Sequence, residues 1–231
     1  MTSSMRSRPR ETWWWRLDLF VRDMDALARS DTGARAALRS GVRQPVTKCA
    51  RMHRYLARHV SETWPYARQQ PYYTVAALIA DSSRQPTAAD EDPVAGDEDT
   101  GPDSESEAAD AASTGPGRES AAAPEGDQVW WDRCREANLG AALARGVRLP
   151  GKQALNQDTT EKRLHLLTRS SSHTLHTRLP ELTRYLRSRE IAVDWAVLLG
   201  DLAAWERSRD EVATRWLQTF YRTLHPSADE A

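Results

Sequence analysis

Three aspartates in the C-terminal third, Asp194, Asp201 and Asp210, are the chain's nearest approach to paired carboxylates for acid–base work. Their surroundings favour another use. Asp194 stands directly before apolar residues at helical spacing, where an N-cap carboxylate accepts from free backbone N–H groups. Asp210 falls in a first helical turn, where the helix dipole favours negative charge. His173 and His176 are three apart with His165 nearby. A zinc helix spaces its histidines by four with a carboxylate between them, and no third ligand stands at motif spacing. His53 falls on an apolar helix face and reads as a core histidine. Cys49 and Cys134 are too few for a disulfide framework or a zinc site and read as small buried apolar residues. The glycines form no phosphate-binding loop, dinucleotide fingerprint or nucleophile elbow. The residues therefore predict no catalytic group, metal, cofactor or small-molecule substrate.

Arginine is the other chemistry in abundance. Only Lys48, Lys152 and Lys162 are lysines among thirty-two basic residues. Arg35, Arg39 and Arg43 recur every four residues, and Arg51, Arg54 and Arg58 follow at three and four. Lys162, Arg163 and Arg169 share one later segment, with Arg178, Arg184, Arg187 and Arg189 after it. A planar guanidinium matches phosphate oxygens in a two-pronged contact, so such rows suit a nucleic-acid backbone. Contacts of that kind position a strand without reading its sequence, and their affinity falls with salt. The competing use is a solvated helix face with acidic partners nearby. From Ser40 to Ser61 no acidic residue is at hand, whereas Arg184 to Arg189 have Glu181 and Glu190.

The formal net charge of −1 conceals an asymmetry. Between Thr87 and Asp127 thirteen acidic residues face Arg118 alone, a local balance of −12. The remainder carries thirty-one basic against twenty acidic residues, a balance of +11. The acidic stretch holds no aromatic residue and only Val94 as a bulky aliphatic, the composition of a disordered insert. It has too little apolar surface to offset chain ordering, about 1–2 kcal/mol per residue. The organisation expected is a disordered N-terminus over 1–11 and a helical half over 12–86. The acidic insert over 87–127, a second helical half over 128–225 and a tail over 226–231 follow.

The elements that must position the arginines are helices. Trp13, Leu17, Phe20, Val21, Met24, Leu27 and Ala28 predict a helix from Thr12 to about Ala28. Asp31 caps a short helix over Thr32–Ser40 that Gly41 ends at the C′ position. Pro45 opens a helix with Val46, Cys49, His53, Leu56 and Val60 inward and Arg51, Arg54 and Arg58 on the opposite face. Pro65 ends that region, and Pro71 opens a helix from Tyr72 to about Ser82. The pattern resumes at Val129 with Trp130, Cys134, Ala137 and Ala141. Asp158 and Glu161 form a capping box before Leu164, Leu166 and Leu167. Leu175, Leu179, Leu182 and Leu186 follow, with a kink or fresh start at Pro180. Asp194 caps a helix facing inward through Trp195, Leu198, Leu199, Leu202 and Trp205. Ser208 and Glu211 box the last helix, which carries Val212, Trp216, Phe220 and Leu224. No alternating β pattern occurs. The fold class predicted is all-α, a helical bundle in two halves. No apolar run suits a signal peptide or a membrane span, which predicts a soluble, cytoplasmic protein without a membrane partner.

Charge alone leaves three functions open: a backbone-gripping nucleic-acid binder, a helix-turn-helix regulator built on the helices around Gly41, and a scaffold contacting only protein. A recognition helix offers Asn, Gln or Ser to base edges, whereas this exposed face is nearly all arginine.

The stretch Asp31-Thr32-Gly33-Ala34-Arg35-Ala36-Ala37-Leu38-Arg39 resembles the D-R-G-x-x-A-x-L-R signature of the CasB family. Tyr72 to Ala80, Asn138 to Ala144 and Glu161-Lys162-Arg163-Leu164 resemble later segments of that family. So do Asp194-Trp195, Leu198-Leu199-Gly200-Asp201-Leu202, Trp205, Trp216 and Phe220-Tyr221. The family is the small subunit of the type I-E CRISPR Cascade complex. The resemblance implies a non-catalytic, α-helical protein that takes part in antiviral defence and is present as a pair. Its implied partners are the backbone and large Cascade subunits, guide RNA and target DNA. It also implies a basic surface that steadies the R-loop and its displaced non-target strand, with Arg35, Arg39, Lys162 and Arg163 in contact. Thr32 stands where the family has arginine, and the acidic insert exceeds what the family needs.

Overall fold

The computed structural model of the chain describes residues 14–83 and 125–226. Trp13, the N-terminal stretch 1–11, nearly all of the acidic stretch and the end of the tail lie outside those residues. Among the described residues the fold is all-α, and the two helical halves share one hydrophobic core.

The first half comprises α1 (Trp15–Ser30), α2 (Thr32–Arg39), a 3-10 turn at Val46–Lys48, α3 (Ala50–Leu56) and α4 (Tyr66–Ser82). Leu17, Phe20, Met24 and Ala28 recur at three and four residues and are buried, which fixes the inward face of α1. The Asp31 carboxylate then accepts from the N–H groups of Gly33 at 2.8 Å and Ala34 at 3.0 Å. A cap of this kind contributes about 1 kcal/mol. From Tyr73 to Asp81 every residue of α4 is buried, because α1, α2, α8 and α9 pack around it.

The second half comprises α5 (Glu125–Glu136), α6 (Leu139–Val147), a 3-10 turn at Gly151–Gln153, α7 (Gln157–Thr168), α8 (Ser172–Arg187) and α9 (Trp195–Leu224). Ser208 (φ −139°, ψ 37°) breaks α9 into two arms, at the residue the capping pattern marks. The arms turn back on each other. Arg215 and Trp216 both reach the carboxylate of Asp201, the indole at 2.6 Å, although fourteen residues of straight helix would span roughly 21 Å. Trp205 and Trp216 pack together with ring centroids 5.2 Å apart. Against this corner lies α6. An added Cβ on Gly140 would sit 2.0 Å from the carbonyl oxygen of Trp216, so only glycine allows that approach. Asn138 caps α6 and donates to Thr219 of α9 at 2.9 Å.

Arg133 ties α5 across the core edge. It donates to Asp18 of α1 at 2.9 and 3.0 Å, and to Asp194 at 2.7 and 2.9 Å. Asp194 at the same time caps α9 through the N–H groups of Ala196 and Val197. Burial works against the guanidinium charge, but the two carboxylates outweigh it and raise the Arg133 pKa.

Several boundaries differ from the sequence pattern. Pro71 and Pro180 lie buried inside continuous helices α4 and α8, whose apolar neighbours hold the segments together despite one missing hydrogen bond each. Gly41 is not in the left-handed region; it is there because Met52 Sδ would lie 2.1 Å from any Cβ. The left-handed residue of that turn is Arg43 (φ 62°). Met52 takes the inward position expected of His53, which is exposed and bonds through Nδ1 to the Tyr73 hydroxyl at 2.6 Å. Asn156, rather than Asp158, caps α7, since its side chain accepts from Thr159 N–H at 2.9 Å. Cys49 and Cys134 are free and buried; burial raises both thiols, Cys134 to about 12. Among the described residues no helix is long and apolar enough to cross a membrane.

Candidate nucleic-acid interface

The structure sorts the nine basic residues that the sequence marks into two kinds. The first kind is engaged within the protein. Arg39 on α2 lies 3.5 Å from Asp81, a carboxylate at the end of α4 that is only 7% exposed. Arg184 of α8 donates to the same carboxylate at 2.7 Å, and Arg187 reaches the Asp81 backbone carbonyl. Burial pushes the Asp81 carboxyl up. The Arg184 hydrogen bond and the charges of Arg184, Arg187 and Arg39 more than offset it, leaving the pKa below its ordinary value. Arg43 lies 3.8 Å from Glu181, and Arg58 lies 3.4 Å from Asp23 beside His59.

The second kind is available. Arg51 and Arg54 are exposed on α3; Arg54 stacks on Tyr55 at 4.6 Å. Arg35 is half-buried on α2. Lys162 on α7 and Arg169, which caps its C-terminus, are exposed and line one open hollow with His165, Leu166 and the carboxylates of Asp158 and Glu161. Arg163 lies over the Tyr185 ring at 4.7 Å. Among the described residues Arg35, Arg51, Arg54, Lys162, Arg163 and Arg169 have no acidic partner within ion-pair distance. The α3 group is carried by helices that pack on α2 and α4, and the α7 group by a helix that packs on α6 and α9.

Two features escaped the sequence reading. The anchoring roles of Arg184 and Arg187 depend on Asp81, more than a hundred residues earlier, and no local spacing signals such a pair. Leu166, Val129 and Trp131 are large apolar side chains left exposed on α7 and α5. For Leu166 the Leu164–Leu166–Leu167 run holds a signal, because three such residues cannot all face inward on one helix. Among the described residues no group of three His, Cys, Asp or Glu side chains is placed to hold a metal ion.

The model of the CRISPR-associated protein Cse2 family matches residues 34–221. The chain belongs to the Cse2 family. A chain from a solved CRISPR RNA-guided surveillance complex is 30% identical, with a TM-score of 0.65, and the match covers 95% of this chain and 99% of that one. A second, from such a complex described as pre-nicking, is 28% identical, with a TM-score of 0.64 and the same coverage. The crystal structure of M. ruber CasB shares the fold at 23% identity and a TM-score of 0.58, covering 90% of this chain and 94% of that one. The CasB resemblance and the Cse2 family model thus converge. Among curated protein sequences none matches. The Cse2-family match begins at Ala34 inside α2 and ends at Tyr221 inside α9, so it includes every basic residue considered above.

Proposed function

We propose that this Cse2-family chain is the non-catalytic small subunit of a type I-E CRISPR surveillance complex, where it holds nucleic-acid backbone and steadies the R-loop. The observation that carries the reading is the division among the arginines. Arg35, Arg51, Arg54, Lys162, Arg163 and Arg169 stand without acidic partners among the described residues, while neighbours of the same type are tied inward. Unpaired guanidinium and ammonium groups on helix faces suit phosphate, whose contacts are insensitive to base sequence. Opening duplex DNA against a guide is nearly balanced in energy, so a few such contacts to separated strands shift it.

Trp131, left exposed along with Val129 and Leu166, supports contact with protein subunits at the same time, since tryptophan is enriched among the residues that anchor interfaces. The two roles are compatible, because the basic residues on α3 lie on different helices from these apolar ones. Affinity purification of the chain from its own cell, followed by identification of co-eluting protein and RNA, tests the assignment. A guide RNA with other CRISPR-complex subunits is the expected result. Recovery of the chain alone, or with one defined duplex DNA sequence, would overturn it.

A further inference from the structure

A cavity opens between the loop after α2, the start of α4 and the first turns of α8, with apolar walls that carry a few polar and charged groups. Its charged and titratable lining comprises Arg43 from the loop, Tyr66 from α4, His173 and His176 from α8, and Glu206 from α9. His176 is only 6% exposed, and neither ring nitrogen has a hydrogen-bond partner. The other buried polar side chain in the lining, Thr74, is already engaged by the Gln70 amide at 3.2 Å. A buried imidazole with both nitrogens unmet is unusual, because buried polar side chains nearly always find a partner.

The cavity also adjoins the N-terminus of α8. There the Ser171 hydroxyl accepts from Thr174 N–H, while Ser172 and His173, in the first turn, line the cavity. The first N–H groups of a helix have no intrahelical acceptor and lie at the positive end of its dipole. Donors and positive charge therefore converge on the space: the imidazole of His176, the Ser172 hydroxyl, the helix end and Arg43. Against them stands one exposed carboxylate, Glu206. Among the described residues Arg43 is held elsewhere only by a 3.8 Å pair with the exposed Glu181, which is weak enough to be exchanged.

We propose that this cavity binds a phosphoryl oxyanion, with His176 donating an imidazole N–H, Ser172 and the N-terminus of α8 supplying further donors, and Arg43 adding charge at the rim. The chemistry is shared by a phosphodiester of a bound strand and by free inorganic phosphate. Burial, reinforced by the neighbouring His173, holds the His176 pKa down at about 4. A bound oxyanion, singly charged near that pH for a phosphodiester and for inorganic phosphate alike, favours the imidazolium, so occupancy raises that value and binding strengthens as pH falls through it.

The test follows the histidine C2–H signals of the full chain by NMR, with His176 assigned through His176→Asn. The titration is run in chloride, in inorganic phosphate at matched ionic strength, and in chloride with a short single-stranded DNA lacking terminal phosphates. Phosphate is expected to raise the His176 midpoint by about one unit, a tenfold change in proton affinity, and to leave the exposed His225 unmoved. Arg43→Gln is expected to weaken the phosphate effect at least fivefold while the other histidine signals stay in place. The same shift with the DNA assigns the site to strand backbone; a shift with phosphate alone assigns it to the free ion. A His176 midpoint identical in all three media overturns the proposal, as does undiminished phosphate binding by a folded Arg43→Gln protein.

Discussion

Arg39 brings its Nε to 3.5 Å from Oδ1 of Asp81, a carboxylate that Arg184 already holds at 2.7 Å through Oδ2. One arginine of the signature segment is thereby joined to the buried end of α4 and to α8. The ion pair links residues from both helical halves at the last described turn before the acidic stretch. Its first role is structural: it holds α2, α4 and α8 in register.

Replacing Asp81 by Asn should therefore destabilise the chain. The side chain is 7% exposed, but its partners are roughly half exposed, so solvent screening reduces the loss to about 1–2 kcal/mol. The folded pKa is lowered, so the contribution is present above the ordinary carboxylate pKa and is lost as pH falls through the folded value. Denaturant unfolding of Asp81→Asn should show a smaller loss of stability below about pH 4 than the parent chain.

His176 imposes acid sensitivity of the same sign in a higher pH window. Its folded pKa of about 4 lies below the ordinary 6.5, so the unfolded chain binds more protons between those values. Stability then rises with pH across that window and is lost as pH falls through it, by roughly 3 kcal/mol in total. His176→Asn should flatten the unfolding free energy between pH 6.5 and 4 in chloride. An unchanged pH dependence would place the titrating group elsewhere.

At the α6–α9 corner, Gly140→Ala should cost about 2–3 kcal/mol, because its Cβ would meet the Trp216 backbone at 2.0 Å and two helices must separate. Gly33→Ala provides the contrast. An added Cβ there meets only Asp31 Oδ1, at 3.2 Å, and the helical backbone of α2 favours alanine. Equal unfolding midpoints for the two variants would contradict the close approach.

Much of this fold is legible from local pattern. The caps at Asp31 and Asp194, the break at Ser208 and the inward faces of α1 and α9 follow from spacing, since a helix buries residues three and four apart. Long-range pairing leaves no such trace. The Arg133 bridge to Asp18 and Asp194 joins residues 115 and 61 positions apart, and Asp81 meets Arg184 across 103. The same limit governs the candidate interface. Spacing shows that Arg39, Arg43 and Arg58 stand in rows with Arg35, Arg51 and Arg54, but only tertiary structure shows that the first three have acidic partners. Prolines mislead for a related reason: whether Pro71 or Pro180 ends a helix depends on the packing around it, and both are buried within one.

If the residues without acidic partners grip backbone phosphate, the R-loop must depend on their charge. The most direct measurement is the lifetime of the R-loop as a function of salt, using surveillance complex assembled with the parent chain or with Arg35→Gln, Arg51→Gln, Lys162→Gln and Arg169→Gln combined. The predicted result is a shorter lifetime on every target sequence, with the salt slope of binding reduced by roughly 0.7–0.9 for each phosphate no longer neutralised. An unchanged lifetime and salt slope, in a complex that still contains the variant subunit, would contradict it.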